Sequence, residues 1–323
     1  MKTWKKVGWF VLAVAVAVIA VLLITGKKED DAVIRIASLK GPTTIGMVKL
    51  MDDYEESENY NFTIYANASE ISPLLIKGEV DVASIPANLA ATLYAKTNGE
   101  ICVLNTNTLG VLYLVGMDES IQSLEDAKGK TIYSTGKGTT PEYTLNYLIK
   151  SNGLALEDFN IEYKSEATEV VAALQADASA IAVLPQPFVL TAQAKIEGLK
   201  ILLSFNDEWN RVSESSQLVT GVTVVRKSFL EEHPQAVEAF MQAYEESITY
   251  VNEHPQEMAA SVEKYGIVNA QIAEKAIPYC NLTYKDGMEL KEILSGYLEV
   301  LYTQDASSVG GVLPGDDFYF IQK

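Results

Sequence analysis

The sequence predicts an α/β protein: parallel sheets flanked by helices, then a helical C-terminal tail, with an apolar segment ahead of both. Three observations carry this. From residue 33 onward, short runs rich in Val, Ile and Tyr alternate with stretches whose apolar residues recur at three and four. Such alternation is what helix-covered parallel sheets require. After residue 226 the strand-like runs stop and amphipathic helical stretches take over, while residues 7–26 form one uncharged run.

The N-terminal segment comes first. Lys2, Lys5 and Lys6 precede the uncharged run, and Lys27-Lys28-Glu29-Asp30-Asp31 follows it. A basic start before a long apolar run marks residues 1–26 as a signal peptide or a membrane anchor. Cleavage after Ala20 or near Gly26 competes with retention as an uncleaved tether, which is the preferred reading. The lysines stay on the cytoplasmic side by the positive-inside rule, so the remainder is expected to be extracytoplasmic, on the outer face of the cytoplasmic membrane.

Strands are expected at 33–38, 61–66, 81–85, 102–105, 131–135, 159–163, 180–184, 201–205 and 218–226. Helices are expected at 44–54, 73–77, 87–96, 141–151, 167–176 and 187–196. The tail adds 228–253, broken at His233-Pro234, then 255–265, 269–276 and 285–301. Ser72-Pro73, Thr140-Pro141 and Gln186-Pro187 each put Pro at a first helical position, where no hydrogen bond is lost. Ser72 and Thr140 are suited to capping. Gly78 and Gly153 fall where helices should stop.

Composition narrows the function. A length of 323 residues suggests about two domains plus a short segment. Ordinary apolar (48%) and charged (21%) fractions exclude a disordered chain. A net charge of −18 repels phosphate backbones and excludes a nucleic-acid binder, although one pocket can still be locally positive. Cys102 and Cys280 allow one disulfide arithmetically, but their pairing is not readable here. His233 and His254 each sit in Glu-His-Pro-Gln at a helix start. No zinc-ligand spacing, nucleophile elbow or phosphate loop is present, so no catalytic residue, metal or cofactor is assigned.

Ligands of open α/β sheets sit beyond the carboxyl ends of strands, where helices begin. That rule selects Lys40-Gly41-Pro42-Thr43-Thr44, then Asn67 and Ser69, then Pro86 and Asn88, then Gly136, Gly138, Thr139 and Thr140. Free amides at a helix start favour an anionic or strongly polar group. Thr106, Asn107 and Gln186 are further candidates. Trp209 could stack on a ligand ring or pack its loop down, and Tyr65 points toward the same loops.

Several phrases, in order, resemble one family. They are Ile34-Arg35-Ile36-Ala37-Ser38-Leu39-Lys40-Gly41-Pro42-Thr43, Gly78-Glu79-Val80-Asp81-Val82-Ala83, Leu124-Glu125-Asp126-Ala127-Lys128-Gly129-Lys130-Thr131 and Val224-Val225-Arg226-Lys227-Ser228-Phe229-Leu230-Glu231-Glu232-His233-Pro234. Together they resemble the substrate-binding proteins of ABC importers, in the nitrate, sulfonate, taurine and thiamine-precursor branch. The resemblance implies a periplasmic-binding-protein type II fold, with two doubly wound lobes joined by a two-strand hinge. Lobe 1 would comprise 32–108 plus 225–323, and lobe 2 would comprise 109–224. It implies a small-molecule ligand, closure about a hinge, an ABC transporter permease as partner and a monomer. A lipobox cysteine, common in such proteins, is missing, which puts a lipid anchor in doubt. The alternatives are a membrane-tethered ligand sensor and an enzyme like the thiamine-pyrimidine synthases, whose cysteine-rich motif is absent.

Overall fold

A computed structural model describes residues 32–213 and 215–322. The expected signal or anchor at 1–26 lies outside the described residues.

Six strands build one sheet: β1 (Ile34–Leu39), β2 (Tyr60–Tyr65), β3 (Val82–Pro86), β4 (Ile101–Leu109), β10 (Val219–Arg226) and β11 (Leu282–Lys285), in the order β11-β4-β10-β3-β1-β2. Five build the other: β5 (Leu112–Gly116), β6 (Thr131–Ser134), β7 (Asn160–Tyr163), β8 (Ile181–Pro185) and β9 (Lys200–Ser204), in the order β7-β6-β8-β5-β9. Each sheet with its helices is a lobe. Both centres are buried because both faces are covered: every residue of β4 from Ile101 to Thr108 is buried, the polar Asn105, Thr106, Asn107 and Thr108 included.

The sheets are mixed, not purely parallel as the alternation predicts. β1 pairs in parallel with β2 and β3, and β6 pairs in parallel with β7 and β8. β10 runs antiparallel to β3 and β4, and β5 runs antiparallel to β8 and β9. The reason is connectivity. β4 leads out of the first lobe and β5 starts the second from the gap between them, so β5 must run away from that gap. β10 does the same on the return.

Helices cover both faces. In chain order they are α1 (Pro42–Ile45), α2 (Val48–Asp53), α3 (Ala68–Lys77), α4 (Ala87–Lys96), α5 (Thr140–Ser151), α6 (Ala167–Ala176), α7 (Phe188–Lys195), α8 (Phe205–Val212), α9 (Lys227–Glu232), α10 (Pro234–Glu253), α11 (Pro255–Lys264), α12 (Ala270–Ala276) and α13 (Gly287–Gln304). Several expectations need correction: the helix expected at 44–54 is split into α1 and α2, and Pro187 precedes α7 as its N-cap residue. Helix α3 begins at Ala68, with Pro73 inside it and Asn67, not Ser72, as its N-cap; the Asn67 amide donates to Glu70 Oε1 at 3.0 Å. Thr139, not Thr140, caps α5. Residues 205–212 are helical, with Phe205 and Trp209 one turn apart on its buried side.

Helix α13 packs on β4, α4 and α5, so the tail touches both lobes. Among the described residues no helix is long and apolar enough to cross a membrane. Cys102 and Cys280 are buried free thiols. Burial pushes the Cys102 thiol up to about 12 and raises that of Cys280 as well.

One buried charge ties β1, β3 and β10 together. Asp81 is 1% exposed and accepts from Arg35 N, Nε and Nη2 at 3.1, 2.8 and 2.7 Å, and from Arg226 Nη2 at 2.6 Å. Burial alone would raise its pKa, but the bonds from Arg35 and Arg226 outweigh burial and leave it below 3.8. A carboxyl whose folded pKa is depressed stabilises the fold above its unfolded value and loses that contribution as pH falls through the folded one. Asp81→Asn is therefore expected to cost about 3 kcal/mol at pH 7 in urea unfolding, the low end for a broken buried pair. The low end applies because the Arg35 side chain is 43% exposed and solvent screens it. The gap from the parent protein should narrow below about pH 4, near the carboxylate range.

Candidate functional site

The gap between the sheets holds a cavity of ≈ 360 Å³, within the roughly 300–1,000 Å³ usual for small-molecule sites. Its walls are strand-tip loops. In the first lobe, Lys40 N donates to Tyr65 O at 2.9 Å, which keeps the loops after β1 and β2 side by side. Gly41 has φ +151°, a conformation that side chains other than hydrogen rarely adopt. It turns the chain into Pro42 and α1. Thr43 lines the cavity and its hydroxyl donates back to Leu39 O at 3.1 Å.

The second lobe supplies the loop after β6. Gly136 has φ +70°, and a Cβ there would lie 2.6 Å from Thr139 Oγ1 and 2.9 Å from Pro141 Cδ. Its carbonyl accepts from Thr139 Oγ1 at 2.7 Å and from Thr139 N at 2.9 Å. Helices α3, α5, α6 and α7 and the short α1 begin at the cavity: Ala68, Thr140, Ala167, Phe188 and Pro42 all line it. First-turn amides have no partner within their own helix and carry the positive end of its dipole.

The structure brings Lys40, Gly41, Pro42, Thr43, Asn67, Ser69, Pro86, Gly136, Thr139 and Thr140 together around the cavity. It places the other candidates elsewhere. Thr44 is fully buried and shares a 2.7 Å hydrogen bond with Ser38. Its neighbour Thr43 faces the cavity because successive residues of a helical turn point in different directions. Asn88 is buried and donates to Ser308 O at 3.0 Å. Thr106 is fully buried in β4, and Asn107 lies in the same strand and donates to Thr223 Oγ1 at 3.0 Å. Gly138 sits at an exposed loop tip, where its amide donates to Glu142. Gln186 is 2% exposed, and its amide donates to Val111 O at 3.2 Å. Trp209 is wholly buried between Tyr147 and Tyr297, at centroid distances of 4.5 and 5.4 Å. Tyr65 packs against the core.

Sequence reasoning missed Thr108, Thr135, Phe188, Thr220 and the loop Lys164-Ser165-Glu166-Ala167. The strand-tip rule also covers that loop, which follows β7 and opens α6, and both flanking elements are legible in the sequence. Thr220 precedes Gly221, where a Cβ would lie 2.5 Å from Asn107 Oδ1 and 2.9 Å from Thr43 Cγ2. Glycine there lets β10 pass under the cavity floor. The Thr220 hydroxyl is buried at the cavity wall with no hydrogen-bond partner, and so is Gln186 Oε1 next to the lining residue Pro185. Buried polar atoms of this kind normally have a partner.

The ionisable lining residues are Lys40, Lys137, Lys164 and Glu166. Lys164 pairs with Glu162 at 3.1 Å and lies over the Tyr133 ring. Among the described residues, Lys40 and Lys137 have no carboxylate within 4.0 Å. Among the described residues Phe188 is the aromatic residue of the wall, and no His or Cys lines it. No group of three His, Cys, Asp or Glu among the described residues could hold a metal ion.

Two α/β lobes that meet over a cavity at their strand tips define the class of type II periplasmic binding proteins. Solved structures agree. An ABC transporter from Parabacteroides distasonis matches with TM-score 0.74 and 26% identity, over 91% of this chain and 100% of that one. The periplasmic aliphatic sulphonate-binding protein SsuA from Escherichia coli matches with TM-score 0.71 and 13% identity, over 91% and 94%. The ligand-binding component of an ABC-type import system from Staphylococcus aureus, solved with zinc bound, matches with TM-score 0.69 and 19% identity, over 90% and 97%. No curated protein matches by sequence. The model of the NMT1/THI5-like family matches residues 61–258, and the chain belongs to that family.

Proposed function

We propose that this protein is an extracytoplasmic solute-binding protein that captures a small anion between its lobes and delivers it to an ABC import permease, without making or breaking a covalent bond. The observation that carries this reading is the cavity wall, where Lys40, Lys137, Lys164 and the starts of five helices face one carboxylate among the described residues, Glu166. In a protein of net charge −18 this is a local inversion of sign. Sulfonate binding by a protein of the same fold supports the anion class. The withdrawal of Trp209 and Tyr65 from the cavity weakens a stacked pyrimidine. The basic, apolar segment at 1–26 supports placement outside the membrane.

In this reading lobe 1 comprises 32–109 plus 219–323 and lobe 2 comprises 110–218: β4 ends at Leu109 and β10 starts at Val219, both in the six-stranded sheet, so the expected boundaries at 108 and 225 move to those strand ends. The cavity-lining residues of the preceding section contact the solute, with Thr220 supplying an unpaired hydroxyl. A ligand that binds only the native state raises stability by mass action, about 2.7 kcal/mol at a hundredfold excess over Kd. Thermal unfolding with ethanesulfonate, nitrate and a neutral aminopyrimidine is the test. The anions are expected to raise Tm and the pyrimidine to leave it unchanged. A flat response to every anion, or a rise with the pyrimidine alone, would overturn the reading.

A further inference from the structure

Asn88 fits the strand-tip rule by position, yet it does not line the cavity. It is the second residue of α4 and 1% exposed. Its side chain has two kinds of contact. On its own lobe, Nδ2 donates to Ser308 O at 3.0 Å, and Thr92 Oγ1 approaches the same carbonyl at 3.4 Å. The tail is seated there because Gly310, at φ +86°, lets it lie against α4: a Cβ would come within 2.9 Å of Ala95 Cβ. Across the gap, Nδ2 also reaches Gly138 O at 3.4 Å, and Oδ1 accepts from Thr140 Oγ1 at 3.4 Å. Thr140 reaches Thr220 O at 3.5 Å as well.

The asymmetry is informative. Asn88 is held firmly by the tail of its own lobe and reaches the other lobe with longer bonds, which are weaker. Contacts of this kind can be made and broken while the anchor stays in place. The surrounding seam is not saturated: Thr144 Oγ1 and Ser308 Oγ are buried without partners. The Tyr297 hydroxyl faces Thr140 and Thr144 but forms a bond of normal geometry with neither. Such groups have partners to gain if the lobes take a second position.

We propose that Asn88 is a positioning residue that bridges the lobes, holding the cavity loop 136–140 against the first lobe and so favouring the closed arrangement, without touching the solute. The proposal rests on the cavity being the binding site, and its decisive measurement needs no ligand. Cys102 and Cys280 are buried, so nitroxide labels will go to cysteines introduced at exposed Lys77 and Lys150. Lys77 is the last residue of α3 and Lys150 the last but one of α5, and the other ends of both helices start at the cavity, so opening moves the labels by a long lever arm.

In the ligand-free protein, Asn88→Leu is expected to shift the dipolar distance distribution and reduce the population at the parent distance at least threefold. Thr140→Val, which removes the partner hydroxyl and conserves shape, should shift it the same way by less. Ethanesulfonate should bind Asn88→Leu at least threefold more weakly, because apparent affinity falls with the competent fraction. Distributions that superimpose on the parent's, even with a lower Tm, would reduce Asn88 to a structural role and overturn the proposal. If Asn88→Leu does not fold, the Thr140→Val distribution decides alone. If ethanesulfonate binds no form of the protein, the anion reading fails while the distances still decide this one.

Discussion

Replacing Trp209 with alanine is expected to cost about 3–5 kcal/mol, the range for removing a large aromatic from a packed core. The indole is fully buried and packs between Tyr147 of α5 and Tyr297 of α13. Its Nε1 donates to Ser216 O at 3.2 Å and approaches Ser216 Oγ at 3.1 Å. No small shift of the neighbours fills that volume, because α13 is also held on β4. For a chain of this size, with an unfolding entropy of about 2.1 cal/mol/K per residue, the loss corresponds to a fall of about 5–8 °C in Tm. Trp209→Phe keeps a ring between the two tyrosines and should lose less than half as much. Because the ring lies away from the cavity wall, Trp209→Phe should bind the same anions within a few-fold of the parent. Loss of binding by Trp209→Phe at unchanged Tm would instead restore the indole as a stacking partner for the ligand.

The second large effect concerns charge. The triple substitution Lys40→Gln, Lys137→Gln and Lys164→Gln is expected to weaken binding of a monovalent anion about 100-fold, or about 2.7 kcal/mol. Each lysine supplies close to 1 kcal/mol at a partly solvated site, where water screens the interaction. Lys164 should contribute least because Glu162 already pairs with it at 3.1 Å. The parent's affinity should fall as ionic strength rises, and the triple variant's much less. Calorimetric titration at two salt concentrations checks both statements. Equal affinities in parent and triple variant would leave the helix starts as the whole of the anion site.

Much of this molecule is legible before folding is considered. The alternation of Val-, Ile- and Tyr-rich runs with helical periodicity locates most strands to within a residue or two, and it marks 87–96 and 167–176 with the bounds observed for α4 and α6. Two strands escape it. β5 starts three residues after β4 ends, with only Gly110 and Val111 between them to mark a break, and β11 has four residues inside a tail that otherwise reads as helix. Helix α8 is masked by its polar residues Asn206, Asp207, Glu208 and Asn210, although Phe205 and Trp209 keep the spacing of one turn.

The sequence alone determined the kinds of element, their order and the chemistry waiting at each strand tip. These depend on backbone preference and on residues adjacent in the chain, such as Gly136 beside Thr139 or Gly41 before Pro42. Tertiary structure alone decided which of those residues share a space. Thr43 and Thr44 are neighbours in the chain, yet one faces the cavity and the other the core. Asn88 and Thr140 meet only because two sheets approach each other, and Lys40 and Lys164 line one wall for the same reason. Side-chain direction and the packing of distant segments settle such questions, and neither is encoded in local spacing.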